Sequence, residues 1–213
     1  MLTHLAWTAV PGLRHGFLDR SEPDAPADLP IALPRQVHGT RIALAERDAR
    51  PQADGLVTTA AGLGVGVVTA DCVPVLLVDR RARVAAAVHA GWRGAAGGVL
   101  EAAVAELGGR FGSRLDDVEA VAGPAIGGCC YEVGADVVAA FEGRTGSTTA
   151  PALSAVNGRH HLDLRTAVRL LLTAAGVRAV AILGPCTACG GNYHSYRRDG
   201  AGTGRQLSFV GWA

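Results

Sequence analysis

Three apolar runs in the middle of the sequence constrain the fold more than any other feature. GVGVVTA (64–70), VPVLLVD (73–79) and VAAAVHA (84–90) are short, nearly continuous in hydrophobicity and rich in β-branched residues. Such runs are typical of strands covered on both faces, because a strand with one solvated face alternates apolar and polar side chains. Only the charged turn DRRAR (79–83) separates the last two runs, which predicts an antiparallel hairpin.

Helical patterns follow these runs. Apolar residues recur at the helical period over 100–107, and Gly108 and Gly109 are predicted to stop that helix. The clearest helix begins at the N-cap Asp163 and ends at Gly176. Further predicted elements are a short helix at 134–142 and strands at 41–45, 118–124, 179–183 and 206–212.

The order of these elements predicts an α/β (mixed α+β) sandwich. With 213 residues and 49% hydrophobic content, the chain is large enough for one sizeable core. No sequence repeat or linker divides it, so residues 1–213 are expected to form a single domain. The proline-rich, acidic stretch 21–34 is predicted to be a loop.

Composition narrows the class of protein. A net charge of +1 gives no general attraction to nucleic acid or to acidic membranes, so specific sites must carry the function. No apolar run approaches the roughly 18 residues of a membrane helix, and the N-terminal segment lacks the pattern of a signal peptide. The odd number of cysteines, 5, favours reduced thiols. We therefore expect a cytoplasmic monomer that acts on a small molecule.

Three residues with metal-binding side chains each lie at a break in regular structure. His38 lies in QVHGT, Cys72 in TADC between two strands, and His89 at the end of the run 84–90. Two imidazoles and one thiolate leave a fourth position open on zinc, and copper also suits these ligands. Alternatively, the cysteine is a small buried hydrophobe and the histidines only form hydrogen bonds.

A second set of cysteines imitates the signature of zinc nucleobase deaminases. Cys130 and Glu132 form a C-x-E, and Cys186 and Cys189 form a P-C-x-x-C. That signature belongs at helix starts, whereas glycines follow Cys189, so two pairs of buried or loop thiols are the alternative. The 7 histidines include no H-x-H pair, which excludes an ordinary trinuclear copper cluster and leaves at most one mononuclear site.

The stretch 192–209 concentrates arginines among glycines. Arg197, Arg198 and Arg205 are suited to phosphate, because a guanidinium forms paired hydrogen bonds and glycines let backbone amides approach a ligand. The alternative is a solvated loop before the last strand. Arg197 and Arg198 are adjacent, so in an extended loop at most one would face the site.

Six segments together resemble a known family. The YfiH-type proteins, also called laccase-domain proteins, multicopper polyphenol oxidoreductases or purine nucleoside phosphorylases, show similar segments in the same order. The resemblance runs from about residue 12 to the C-terminus. It implies a sandwich distantly like the cysteine hydrolase fold of cytotoxic necrotizing factor deamidases. The segments are QVHGT, ADGLVTT, TADCVPVLLVD, AVHAGWRG, GPAIGGCCYEVG and SYRRDGAGTGRQLSFV.

The resemblance also implies a function. It suggests a zinc enzyme that cleaves adenosine, inosine and methylthioadenosine with phosphate, giving the free base and ribose 1-phosphate or its methylthio analogue, and that deaminates adenosine. His38, Cys72 and His89 would bind the metal, and Gly91 and Gly94 would let the chain turn beside it. The residues expected to take part in catalysis are Cys72, His89 and Asp71, the last as a proton acceptor, and those expected to bind substrate or phosphate are Arg93, Arg197 and Arg198.

Two other classes of enzyme use the same residues. Copper in the three-ligand site would give a polyphenol oxidase. Without metal, Cys72 as nucleophile and His89 as base would give a hydrolase, and some family members are linked to editing of peptidoglycan precursors. The motifs alone do not separate these classes.

Overall fold

The computed structural model describes residues 1–22 and 26–213 of the chain. Its helices are α1 (Leu5–Thr8), α2 (Trp92–Gly97), α3 (Val99–Phe111), α4 (Ala135–Thr145), α5 (Leu164–Ala174) and α6 (Tyr196–Asp199). Its strands are β1 (Leu13–Phe17), β2 (Ile31–Ala32), β3 (Ile42–Leu44), β4 (Gly55–Thr58), β5 (Leu63–Thr69), β6 (Val73–Asp79), β7 (Val84–Ala90), β8 (Val118–Ala122), β9 (Glu132–Val133), β10 (Leu153–Val156), β11 (Arg159–Leu162), β12 (Ala179–Ile182) and β13 (Gln206–Trp212).

Two sheets and a layer of helices form a three-layer sandwich. The central sheet has 6 strands in the order β12-β8-β6-β7-β4-β3, and the second has 4 in the order β1-β13-β5-β2. Helices α2 to α5 pack on one face of the central sheet, and the second sheet covers the other face. A small sheet of 3 strands, β10-β11-β9, lies outside these layers. The predicted mixed α+β sandwich is confirmed.

Strands β6 and β7 form the predicted antiparallel hairpin, paired from Val73 opposite Ala90 to Asp79 opposite Val84. Both strands are buried along their whole length. Leu77 packs with the helices, whereas Leu76 on the other face packs with the second sheet. This is why the runs show no alternation: full burial of each such side chain stabilises the fold by about 1.5–3 kcal/mol whichever face it occupies.

The two principal helices begin and end for different reasons. The carboxylate of Asp163 accepts hydrogen bonds from the backbone N–H groups of Arg165 and Thr166, which confirms it as the N-cap of α5. The prediction that Gly108 and Gly109 stop α3 is wrong, because both lie inside the helix. Glycine inside a helix costs only about 1 kcal/mol, which the packed apolar face offsets. The helix ends at Gly112, whose φ of +64° suits a left-handed cap.

Sequence patterns do not predict several of the short strands. Strand β2 lies within the stretch 21–34 predicted as a loop and pairs with β5, so that prediction is wrong at residues 31–32. Residues 23–25 of the same stretch lie outside the described residues.

No helix among the described residues is both long enough and apolar enough to cross a membrane.

Candidate functional site

His38, Cys72 and His89 meet at one end of the β6–β7 hairpin. Their nitrogen and sulfur atoms lie within 4.8 Å of one another. The Sγ atom of Cys72 is 3.9 Å from Nε2 of His38, and the two imidazole rings are perpendicular with centroids 4.7 Å apart. The structure therefore brings together all three residues singled out as metal ligands, although they are far apart in sequence.

Local backbone geometry makes this approach possible. In the hairpin register, Pro74 lies opposite His89, which places Cys72 beside the end of β7. His38 has a φ of +60°, an uncommon conformation for a residue with a side chain. Gly91 forms the extended cap of α2 rather than the sharp turn expected from the sequence. A Cβ atom on Gly91 would lie 3.0 Å from Cδ2 of His38 and 3.1 Å from Sγ of Cys72, so glycine is needed for close approach.

Asp54 organises the site, and sequence reasoning missed it. Its fully buried carboxylate accepts hydrogen bonds from the backbone N–H groups of His38 (2.8 Å) and Gly39 (2.7 Å), and more weakly from that of Val37. The same carboxylate lies 2.9 Å from Nδ1 of His89. This contact leaves Nε2 of His89 as its ligand atom, the arrangement in which a carboxylate orients a metal-binding histidine. The only signal was the position of Asp54 in ADGLVTT.

The three polar groups at the centre are electrostatically coupled. Burial alone would raise the pKa of the Cys72 thiol, but hydrogen bonds and charge from His38 and His89 outweigh it and lower that pKa to about 6. Burial alone would lower the pKa of His89, but Asp54 and then Cys72 raise it to about 9. The His89 hydrogen bond and the backbone amides likewise hold the pKa of Asp54 below its usual value, against the effect of burial. A thiolate beside two imidazoles is a donor set that fits zinc or copper.

These residues form one wall of a cavity of about 650 Å³. That volume is within the range of sites for small molecules. Around the ligands, the lining carries five arginines and one carboxylate, that of Asp71, so the cavity favours an anion. Trp92 and Tyr131 add aromatic surface, and burial raises the pKa of Tyr131 to about 12. The arginines are Arg35, Arg50, Arg93, Arg197 and Arg205.

Arg197 lines the cavity and Arg198 does not. The Arg197 guanidinium donates to the carbonyl oxygens of Cys130 (3.1 Å) and Glu132 (2.9 Å) at the cavity wall. The Arg198 guanidinium instead donates to the carbonyl oxygens of Thr187 (2.9 Å) and Tyr193 (2.8 Å) and pairs with Asp199. Both guanidinium groups therefore fix loop backbone, and Arg197 is the one of the two that also lines the cavity.

Asp71 and Arg93 differ in how far their charges are already engaged. The Asp71 carboxylate accepts hydrogen bonds from the hydroxyls of Thr187 (2.6 Å) and Ser195 (3.1 Å) and from the backbone N–H of Arg197 (2.6 Å). These three hydrogen bonds tie the carboxylate to Thr187 and to the start of α6. Arg93 lies 4.2 Å above the Trp92 ring and forms no ion pair among the described residues.

The deaminase-like arrangement expected as a competitor is not formed. The exposed carboxylate of Glu132 pairs with Arg159 at 2.9 Å instead of joining the thiols. The thiols of Cys129, Cys130, Cys186 and Cys189 cluster by themselves.

Comparison with known proteins agrees with this site. Residues 21–213 match the family model described as multi-copper polyphenol oxidoreductase laccase. The chain belongs to this family. The family also includes relatives and solved structures of the YfiH type, so the resemblance carried by the six motifs is confirmed.

Relatives in the laccase family include proteins named as enzymes of purine nucleosides. The chain is 38% identical to adenosine deaminase RL5 from an unknown prokaryotic organism, over 84% of this chain and 74% of that one. It is 39% identical to a purine nucleoside phosphorylase of Deinococcus radiodurans, over 83% and 68%. The solved structure of YlmD from Geobacillus stearothermophilus is 28% identical, with a TM-score of 0.84 over 95% and 93%. The protein is therefore an enzyme.

Proposed function

We propose that this enzyme cleaves purine nucleosides with phosphate. One observation carries the proposal: a set of potential metal ligands and a ring of arginines face the same cavity of about 650 Å³. Such a cavity can hold a nucleoside and an anion side by side. The expected substrates are adenosine, inosine and methylthioadenosine, and the products are the free base and ribose 1-phosphate or its methylthio analogue.

The reaction forms one bond and breaks one. A phosphate oxygen attacks the anomeric carbon as the bond from that carbon to the purine nitrogen breaks, and the purine leaves with the bonding electrons and takes up a proton. Arg93 and Arg197 hold the phosphate, because both line the cavity and neither forms an ion pair with a carboxylate among the described residues. The phenol of Tyr131 donates a hydrogen bond to the departing base, and Trp92 supports its ring.

Zinc is the proposed ion at His38, Cys72 and His89, and copper fits the same donors. When bound, the ion would supply Lewis acidity at this wall of the cavity. Asp54 holds His89 in the tautomer that leaves Nε2 as a ligand atom. We assign Asp71 to positioning the loop of Arg197, rather than to accepting a proton, because three donors already engage it.

Deamination of adenosine is proposed as a second reaction in the same cavity. Water replaces the amino group on the purine ring, so the reaction needs the base-binding wall but not the phosphate. The relative named adenosine deaminase RL5 supports this reaction. Because the two reactions share the purine but differ in the nucleophile, the arginines should matter more for phosphorolysis.

A metal-free hydrolase is the alternative that a specific observation favours. Cys72, His89 and Asp54 are arranged as nucleophile, base and orienting carboxylate, the order used by cysteine hydrolases. A copper polyphenol oxidase would use a single mononuclear site.

We infer that residues 1–213 act as one monomeric catalytic domain in the cytoplasm. The single domain, the monomeric state and the location all stay predictions.

The test measures metal and products in the same preparation. Protein purified without added metal should contain zinc and should release hypoxanthine from inosine only when phosphate is present. The variant His38→Ala/Cys72→Ala/His89→Ala should lose that activity and the zinc held by these residues. Release of base without phosphate, or full activity in metal-free protein, would contradict the proposal. Oxidation of a phenol only after copper loading would favour the oxidase.

A further inference from the structure

The remaining four cysteines form a second cluster, in two of the loops that also carry cavity residues or their partners. Cys129 and Cys130 lie between β8 and β9, and Cys186 and Cys189 lie between β12 and α6. All four sulfur atoms lie within 4.8 Å of one another, and none forms a disulfide. We propose that this cluster is a structural zinc site with four thiolate ligands, separate from the site at His38.

The distances between sulfur atoms favour a metal over a disulfide. Zinc–sulfur bonds of about 2.3 Å in a tetrahedron place the sulfurs about 3.8 Å apart. Cys189 Sγ is 3.5 Å from Cys129 Sγ and 3.4 Å from Cys130 Sγ, so both are within a few tenths of an ångström of that spacing. A disulfide would need about 2.05 Å, a much larger movement.

The surroundings of Cys186 also suit a thiolate ligand. Its side chain is buried, and the backbone N–H of Gly127 donates a hydrogen bond to its Sγ at 3.1 Å. An amide donor of this kind stabilises negative charge on sulfur and orients a ligand. Four cysteines close the coordination shell and leave no open position, so the ion would serve structure rather than chemistry.

A metal here would join two loops that position the proposed substrate residues. The carbonyl oxygen of Cys130 accepts the hydrogen bond from Arg197, and Tyr131 lines the cavity. In the other loop, the hydroxyl of Thr187, next to Cys186, donates to Asp71. The backbone N–H of Thr187 donates a hydrogen bond to the carbonyl oxygen of Ala125 at 3.0 Å, which joins the two loops beside the contact from Gly127 to Cys186. The ion would therefore hold the wall of the cavity in place.

The experiment uses the full chain with the first site removed. In the variant His38→Ala/Cys72→Ala/His89→Ala, the four cysteines that remain of the chain's 5 all belong to the cluster. Zinc measured by mass spectrometry should be one per chain in this variant and near zero after adding Cys186→Ser/Cys189→Ser. Cobalt loading should give thiolate-to-cobalt charge-transfer absorption in the first variant only. This readout does not depend on nucleoside activity. A negative result would therefore contradict the four-cysteine site without contradicting the proposed function.

Thiol labelling guards against a variant that fails to fold. In the variant lacking the first site, alkylation should spare the cluster until a strong chelator is added, after which all four thiols should react. The exposed Cys129→Ser, a milder change, should weaken zinc retention without unfolding the chain. A folded, zinc-free first variant, immediate alkylation of all four thiols, or a peptide with a disulfide to Cys189 would each overturn the proposal.

Discussion

Changing Asp54 to asparagine tests whether one buried carboxylate builds the site. The side chain keeps its size but loses its charge. In the variant, its NH₂ group must face at least one of the backbone N–H groups that donate to the Asp54 carboxylate in the wild type. If the remaining oxygen stays with His38 N–H and Nδ1 of His89, the NH₂ group faces the N–H of Gly39 at 2.7 Å. Two donors then oppose each other in a buried position.

The expected loss follows from those contacts. Hydrogen bonds to a charged group contribute about 1.5–3 kcal/mol each, and a buried donor left unpaired adds its desolvation cost. Asp54→Asn should therefore lower the free energy of unfolding by about 3–5 kcal/mol. The free energy of unfolding of a typical domain is about 5–15 kcal/mol, so this loss is a large part of it. Zinc affinity at the first site should fall about 10- to 100-fold, because His89 is no longer held in one orientation.

A matched control separates stability from metal binding. Asp79 is also fully buried, but it lies at the far end of β6 and accepts the backbone N–H of Ala82 at 2.9 Å. Asp79→Asn keeps an oxygen for the Ala82 N–H, and the second carboxylate oxygen of Asp79 has no hydrogen-bond partner among the described residues. The change should therefore alter the free energy of unfolding by less than about 2 kcal/mol and leave zinc affinity unchanged. Urea unfolding and zinc competition with a chromophoric chelator, in the Cys186→Ser/Cys189→Ser background, give the two numbers. Wild-type zinc affinity in a destabilised Asp54→Asn protein would refute the role of Asp54 as an orienting group.

Three further predictions rest on single contacts. Arg197→Ala should raise the phosphate KM of phosphorolysis about 10- to 100-fold, equivalent to about 1.5–3 kcal/mol, and should affect deamination much less. Arg198→Ala should mainly lower the thermal midpoint. Equal losses of phosphorolysis and deamination in Arg197→Ala would assign Arg197 to the fold. Burial, and to a smaller extent the charge of His4, lowers the pKa of His15 to about 4 against the opposing effect of the His4 backbone hydrogen bond, so the unfolded chain takes up a proton first as pH falls below about 6.5. The contribution of His15 to the unfolding free energy should then fall by about 2 kcal/mol, or somewhat less after screening, between about pH 7 and pH 5. In denaturant titrations over that range, His15→Gln should therefore lose about 2 kcal/mol less stability than the wild type, which shares the titration of Cys72 and His89 with the variant. Asp163→Ala should destabilise the protein by about 1 kcal/mol through loss of the N-cap of α5, and an unchanged unfolding midpoint would show the cap to be dispensable.

Patterns along the chain predicted the elements that carry their own signal. Strands β6, β7 and β13 begin and end where the apolar runs do, because strands buried on both faces are built mainly from apolar residues. The end of α3 was misplaced because tertiary packing overrides the low helix propensity of Gly108 and Gly109. Strands β9 and β11 are short and half of their residues are exposed, so hydrophobic periodicity does not indicate them.

The chemistry of the site was predictable residue by residue, but its connections were not. His38, Cys72 and His89 stood out because metal-binding side chains at strand ends are conspicuous. Asp54 was missed because its effect depends on contacts with residues 15 to 35 positions away, which no local spacing encodes. The engagement of Asp71 by Thr187 likewise spans 116 residues and appears only after folding.

The position of the last strand has a consequence for how the chain is made. Strand β13 lies between β1 and β5, bonded to both, so the second sheet stays split into separate parts until residues 206–212 have been synthesised. Until then, the face of the central sheet that carries Leu76 and Val121 is open to water. Pairings between such distant segments form slowly, and exposed apolar strands in the meantime promote aggregation. The nascent chain should therefore depend on chaperones until residues 206–212 have left the ribosome, even though the hairpin that positions Cys72 and His89 can form much earlier.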